Sequence, residues 1–209
     1  ANVIKLRKGL DIHLTGKAKS VQVTPLKSKQ YAVVPDSFGG VIPKVLVREG
    51  DRVKAGDALF VNKKYPEEKF ASPVSGEITA VVRGDRRKVL AITIQADETQ
   101  DYVDFGRRDV ETLTGDEVKN ALLEAGLFGF IQQLPYAVAT TPDTLPRDIF
   151  VSAFRDMPLA ADFEVELQGN EAAFQAGLTA LSKMQTTHLS VHKRQTATAL
   201  LQAKQVELH

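Results

Sequence analysis

The stretch from Val47 to Gly76 constrains the fold most. Two turn signals, Glu49-Gly50-Asp51 and Gly56-Asp57, and the run Ser72-Pro73-Val74-Ser75-Gly76 interrupt apolar segments only a few residues long. Glycine accepts a positive φ and aspartate bonds its own local backbone, so each Gly-Asp pair specifies a tight turn. The apolar runs at 31–34, 45–47, 58–61, 77–82 and 89–94 are too short for helices. In the last run Leu90, Ile92 and Ile94 alternate, as on one face of a strand. Short strands at regular spacing predict an all-β barrel or sandwich.

The pattern changes after Ala96. Asp97-Glu98-Thr99-Gln100-Asp101 is polar and reads as the start of a linker or exposed crossover. Thr114 and Glu117 then have capping-box spacing. The predicted helix carries Val118, Ala121, Leu122 and Ala125 on one face and stops at Gly126. A strand is expected over 148–154, then a helix capped by Asn170 with Phe174, Leu178 and Leu181 on its inner face. A second strand is expected at 187–192 and a last helix at 196–203. Alternating helices and strands define an α/β domain. The expected division is a β-rich domain over 1–100 with its module at about 41–96, a linker at 101–112, and an α/β domain over 113–209. Two strands make a poor sheet, so this second domain is expected to be partial and truncated at its C-terminal end.

Several functions are excluded by composition. The 209 residues contain no cysteine, which removes disulfides, thiolate metal sites and cysteine nucleophiles. With 27 basic and 26 acidic residues the net charge is +1, so no nucleic-acid partner is expected. The N-terminus lacks the apolar core of a signal peptide. No run reaches the roughly 18 apolar residues that span a bilayer. There is no P-loop, G-x-G-x-x-G or G-x-S-x-G, and no catalytic residue is assigned. His188 and His192 share a face but have no third ligand nearby in sequence, so they are read as exposed strand histidines rather than a metal pair. Arg83-Gly84-Asp85-Arg86-Arg87-Lys88 reads as a basic solvated turn.

The two turn motifs, in this order, resemble those of the lipoyl, biotinyl and barrel-sandwich-hybrid domains. Carrier members of that family bear a modified lysine on the hairpin between the motifs. Here that hairpin is Asn62-Lys63-Lys64-Tyr65-Pro66-Glu67-Glu68-Lys69. It contains no Asp-Lys or Met-Lys pair, Pro66 stiffens its tip, and it reads as a charged, solvated turn. A lipoyl or biotinyl carrier modified on Lys63 or Lys64 is the alternative function.

A wider set of segments resembles a second family. These are Ile4-Lys5-Leu6-Arg7-Lys8-Gly9-Leu10-Asp11, Lys69-Phe70-Ala71-Ser72-Pro73-Val74-Ser75-Gly76, Gly126-Leu127-Phe128 with Pro135-Tyr136, and Asp156-Met157-Pro158-Leu159-Ala160-Ala161. In this order they are similar to the A-subunit family of the Na⁺-translocating NADH:quinone oxidoreductases. The chain would be the N-terminal part of such a protein. The related C subunit of the Rnf complex shares the first module but carries cysteine-ligated iron–sulfur clusters.

The resemblance implies an α+β, multidomain chain: an all-β barrel-sandwich hybrid followed by a partial α/β, Rossmann-like domain. It implies a peripheral subunit on the cytoplasmic face of the cell membrane, docked to other subunits and contributing to quinone binding. No cofactor is held covalently. Ubiquinone or menaquinone is the implied ligand, and NAD and flavin belong to partner subunits. Quinones need flat apolar contacts and hydrogen-bond donors for their carbonyls. The implied quinone residues are Leu127, Phe128, Phe130, Gln133, Pro135 and Tyr136, with Phe38 and Gly40 from the 35–41 loop. Phe128 stands where the family usually has tryptophan, and Gln132-Gln133 where basic residues are common.

Overall fold

Both Gly-Asp turns close as their chemistry demands. Asp51 accepts the Arg48 amide at 2.7 Å, and Asp57 accepts the Lys54 amide at 2.7 Å. Gly50 and Gly56 take φ of 87° and 102°. These contacts come from a computed structural model, which describes residues 3–5, 9, 12, 14–16, 28–155, 157, 159, 160 and 162–209. Asp156, Pro158 and Ala161 of the block at 156–161, and most of the opening segment, lie outside the described residues.

The first unit comprises residues 26–107 and 119–145. Its strands are β1 (Gln30–Val33), β2 (Pro43–Val45), β3 (Arg52–Val53), β4 (Ala58–Asn62), β5 (Lys69–Ala71), β6 (Gly76–Arg83) and β7 (Val89–Ala96). They form two antiparallel sheets, ordered β1-β7-β6-β3 and β2-β4-β5. Phe60 and Phe70 from the smaller sheet share one core with Ile78, Ile92 and Ile94 from the larger. Each such side chain contributes roughly 1.5–3 kcal/mol by leaving water. This is the expected barrel-sandwich arrangement.

One part of the strand pattern changes. Leu90 is 42% exposed while Ile92 and Ile94 are fully buried. The β6–β7 register shifts between Val82 and Arg83, so Val82 faces Ala91 and Arg83 faces Val89. Leu90 is the extra residue, and the bulge turns it away from the core. Residues beyond β7 are tied to this unit. The Ala55 amide donates to Asp101 and the Val103 amide to Ala55, both at 2.9 Å. The Gln100 side chain accepts the Ser75 amide at 2.7 Å.

The second unit comprises 1–25, 108–118 and 146–209. Helix α1 (Gly115–Glu124) has its opening turn here and its remainder in the first unit. Thr114 and Glu117 form the expected capping box, with the Thr114 amide donating to Glu117 at 2.8 Å. Leu123 is the buried leucine of α1, rather than Leu122.

In the first unit follow β8 (Gln132–Gln133) and β9 (Val138–Ala139); in the second, β10 (Ile149–Ala153), α2 (Phe163–Glu166), α3 (Glu171–Met184), β11 (Thr187–Val191), α4 (Thr198–Leu201) and β12 (Glu207–Leu208). Strands β10, β11 and β12 form a parallel sheet. The third strand escapes a reading of the sequence, because two residues carry no periodicity. Leu178 of α3, Leu189 of β11 and Leu200 of α4 are buried together with Ala153. Asn170 precedes α3, but its side chain makes no capping bond. No helix among the described residues is long and apolar enough to cross a membrane.

Candidate functional site

The candidate site is built on β5 of the first unit. Phe60 and Phe70 stack with ring centroids 4.6 Å apart and planes 6° from parallel. Phe38, from the loop after β1, packs on Phe70 at 4.6 Å. Phe130 meets Phe38 edge to face at 5.1 Å. The four rings run from the buried core to the surface, since Phe60 and Phe70 are sealed and Phe130 is 66% exposed. Offset and edge-on geometry is the favoured arrangement for such pairs.

The 126–130 segment lies tightly along β5. A Cβ on Gly129 would stand 2.4 Å from the Phe70 ring, so only glycine fits. Phe128 is buried beside it. The chain then enters the short hairpin β8–β9, whose turn contains the cis Leu134–Pro135 bond and the exposed Tyr136. The 35–41 loop meets this hairpin: the Ala139 amide donates to the Gly39 carbonyl at 2.9 Å, and Gly40 lies beside Val138. Six of the eight residues assigned from sequence thus lie on one segment, and Phe38 and Gly40 are brought to it from β1's side.

Their surroundings differ from one another. Gln133 donates to the Thr144 hydroxyl at 2.7 Å, so that donor already has an acceptor. Phe128 is part of the packed base, whereas Leu127, Phe130, Leu134 and Tyr136 are exposed.

The hairpin at 62–69 is only partly solvated. Lys63 and Lys64 are exposed, but Asn62 and Glu68 are buried. Glu68 Oε2 accepts from Asn62 Nδ2 at 2.8 Å. Its other oxygen has no hydrogen-bond partner and would lie 3.3 Å from a Cβ on Gly129. Burial pushes the Glu68 carboxyl up from the ordinary range, against the Asn62 hydrogen bond that lowers it; the neighbouring charge of Glu67 adds to the rise. Charge in the hairpin gave no sign of this, because only one of its acidic residues turns inward. On the same turn, the Tyr65 hydroxyl donates to Asp143 at 2.8 Å. An open groove of about 460 Å³ on this unit is lined by charged Glu67, Lys69, Lys119 and Glu124 together with Asn120, Leu123 and Pro142, away from the aromatic ladder's residues.

Residues 4–97 match the model of the NqrA N-terminal barrel-sandwich hybrid domain, and residues 113–209 match that of the NqrA second alpha/beta domain. The chain belongs to the NqrA family. Its relatives include the A subunit of the Na(+)-translocating NADH-quinone reductase of Yersinia pseudotuberculosis, 35% identical over 185 residues, or 87% of this chain and 41% of the relative. The corresponding protein of Serratia proteamaculans is 36% identical over 187 residues, and that of Haemophilus influenzae 35% over 184, with the same coverage of both chains. The chain therefore spans about two fifths of the length of the curated relatives it matches. The two matches give the barrel-sandwich hybrid and the α/β domain in chain order, although residues 119–145 of the second match pack with the first unit. Of the ladder, Phe70 lies in a segment that carries the family resemblance, whereas Phe38 and Phe60 do not.

Proposed function

We propose that this chain acts as part of a peripheral subunit of the membrane-bound, Na⁺-pumping NADH:quinone oxidoreductase. In this reading it docks to other subunits on the cytoplasmic face and contributes side chains to a quinone site. Electron transfer from NADH through flavin takes place in the partners. Ubiquinone or menaquinone is the ligand.

The observation that carries the reading is the aromatic ladder. It joins the 35–41 loop to the 127–136 segment through Phe38 and Phe130. Phe130, Leu134 and Tyr136 leave apolar side chains exposed beside a buried aromatic base. Clustered exposed apolar side chains of this kind suit a partner surface or a flat ligand. The quinone ring would lie against the exposed face of Phe130, which Phe38 backs edge to face, and the Tyr136 hydroxyl would donate to a carbonyl oxygen.

The test is the assembled complex carrying Phe130→Ala or Tyr136→Phe. A raised KM for quinone with intact assembly is expected. Unchanged quinone kinetics in both variants and in Phe38→Ala would remove the quinone role. If the complex still retains the chain normally when it carries Leu134→Ser and Tyr136→Ser, this edge has no docking role.

The carrier reading rests on the exposure of Lys63 and Lys64 at the β4–β5 turn. Intact mass decides it: a lipoyl or biotinyl increment on either lysine would favour it, and the unmodified mass is expected.

A further inference from the structure

The parallel pairing of β11 with β12 sets His188 opposite Glu207 and Leu189 opposite Leu208. Neighbouring residues on a strand face opposite ways, and residues two apart face the same way. Leu189 and Leu208 turn into the apolar core. His188, Glu207 and His209 therefore leave the opposite face together.

Their ligating atoms converge. His188 Nδ1 lies 2.9 Å from His209 Nε2 and 3.4 Å from Glu207 Oε2. The three donor atoms all fall within 4.8 Å of one another. Ligand bonds of about 2.0–2.1 Å in a tetrahedral zinc site hold their donor atoms roughly 3.4 Å apart. The His188–Glu207 pair already has this spacing, the two rings need a small opening, and the whole trio stays within reach of side-chain rotation. Asp148 and Phe150 flank His188 from outside the trio, with the carboxylate just beyond hydrogen-bond reach. The His188 Nε2 lies 3.7 Å from Asp148 Oδ1, and the His188 ring stacks on Phe150 at 4.9 Å. A carboxylate on the far nitrogen of a ligating histidine is the usual way its orientation is set.

As expected, His188 and His192 do not pair, but neither is an exposed strand histidine, since both are half-buried. His192 stacks on Phe154 and accepts the Arg194 amide at 3.1 Å, beyond the end of β11. The third ligand that the local sequence lacked comes from β12.

We propose that His188, Glu207 and His209 bind a borderline divalent cation of the Zn²⁺ class, with water as the fourth ligand. Two imidazoles and one carboxylate suit such an ion better than Mg²⁺ or Ca²⁺, which prefer oxygen donors. Glu207 is largely exposed, so the ion enters from its side, while His188 forms the sheltered wall. Without an ion, the two rings share one hydrogen bond.

The test uses the chain without a polyhistidine tag, stripped by chelation, with a Gly-Ser extension after His209 so that a terminal carboxylate cannot serve as a ligand. Zn²⁺ titration and the visible bands of Co²⁺ report the site. One ion per chain is expected. His188→Ala and His209→Ala should each weaken binding at least tenfold, and Asp148→Asn by about tenfold. His192→Ala should leave it unchanged. Glu207→Gln, at an exposed position, covers the case in which a histidine variant fails to fold; it should also weaken binding and alter the Co²⁺ bands. No stoichiometric ion in the unaltered chain, or unchanged affinity in Glu207→Gln and the double histidine variant, would overturn the proposal.

Discussion

Glu68 points its unpaired Oε1 at Gly129, under the segment that carries Phe128 and Phe130. A carboxyl sealed from water thus lies against the base of the candidate site. Desolvation penalises its charged form, which gives the fold a pH dependence with a definite sign. Its pKa is higher folded than unfolded. Between the two values the folded chain holds a proton that the unfolded chain has released, so stability falls as pH rises. The favourable contribution is complete below the unfolded value and lost through the folded value. Glu68→Gln keeps the acceptor for Asn62 and removes the titration. Urea unfolding should show the variant gaining on the unaltered protein as pH rises above the ordinary glutamate range, with the gap closing in acid. A gap independent of pH would sink this account.

The aromatic ladder predicts a steep contrast between its two ends. Phe70→Ala leaves a hole in a sealed core and should cost roughly 3–5 kcal/mol. Phe130→Ala removes an exposed ring and should change stability by less than about 1 kcal/mol. Chemical denaturation of the two variants measures both. Similar losses would mean that Phe130 is packed as part of the core.

Gly129→Ala tests the close approach to β5. The added methyl meets the Phe70 ring, and the ring has Phe60 and Phe38 behind it. Overpacking of this kind should cost about 1–3 kcal/mol. Near-ultraviolet circular dichroism should change with it, since the stacked rings must shift. A variant as stable as the parent would show that β5 and this segment separate freely.

The capping box gives a prediction in the second unit. Thr114→Ala removes the hydroxyl that receives the Glu117 amide and should cost about 1 kcal/mol. The Thr114 backbone and hydroxyl donors, in that order, hold the Glu117 carboxyl below the ordinary range. That contribution is present above the unfolded value and lost as pH falls through the folded one. Thermal unfolding should therefore show the Thr114→Ala deficit shrinking in acid.

Much of the architecture is legible in the residues alone. Gly50-Asp51 and Gly56-Asp57 encode turns through local chemistry, and Thr114 and Glu117 encode a helix start through spacing alone. Phe174, Leu178 and Leu181 mark one helical face by their period. Each signal is local, so one short window contains it. The candidate segment 127–136 is likewise visible as an apolar stretch.

Contacts between distant strands are not visible in that way. Leu90 reads as a core residue until the β6–β7 bulge turns it outward. Glu68 reads as one charge among several, and only the approach of Gly129 shuts it away from water. Phe38 meets Phe130 because two loops pack on β5, and His188 meets Glu207 and His209 because β11 pairs with β12. Local sequence sets which elements form and which face of each is apolar. Register and packing choose which side chains touch, since they depend on energies shared across the whole core.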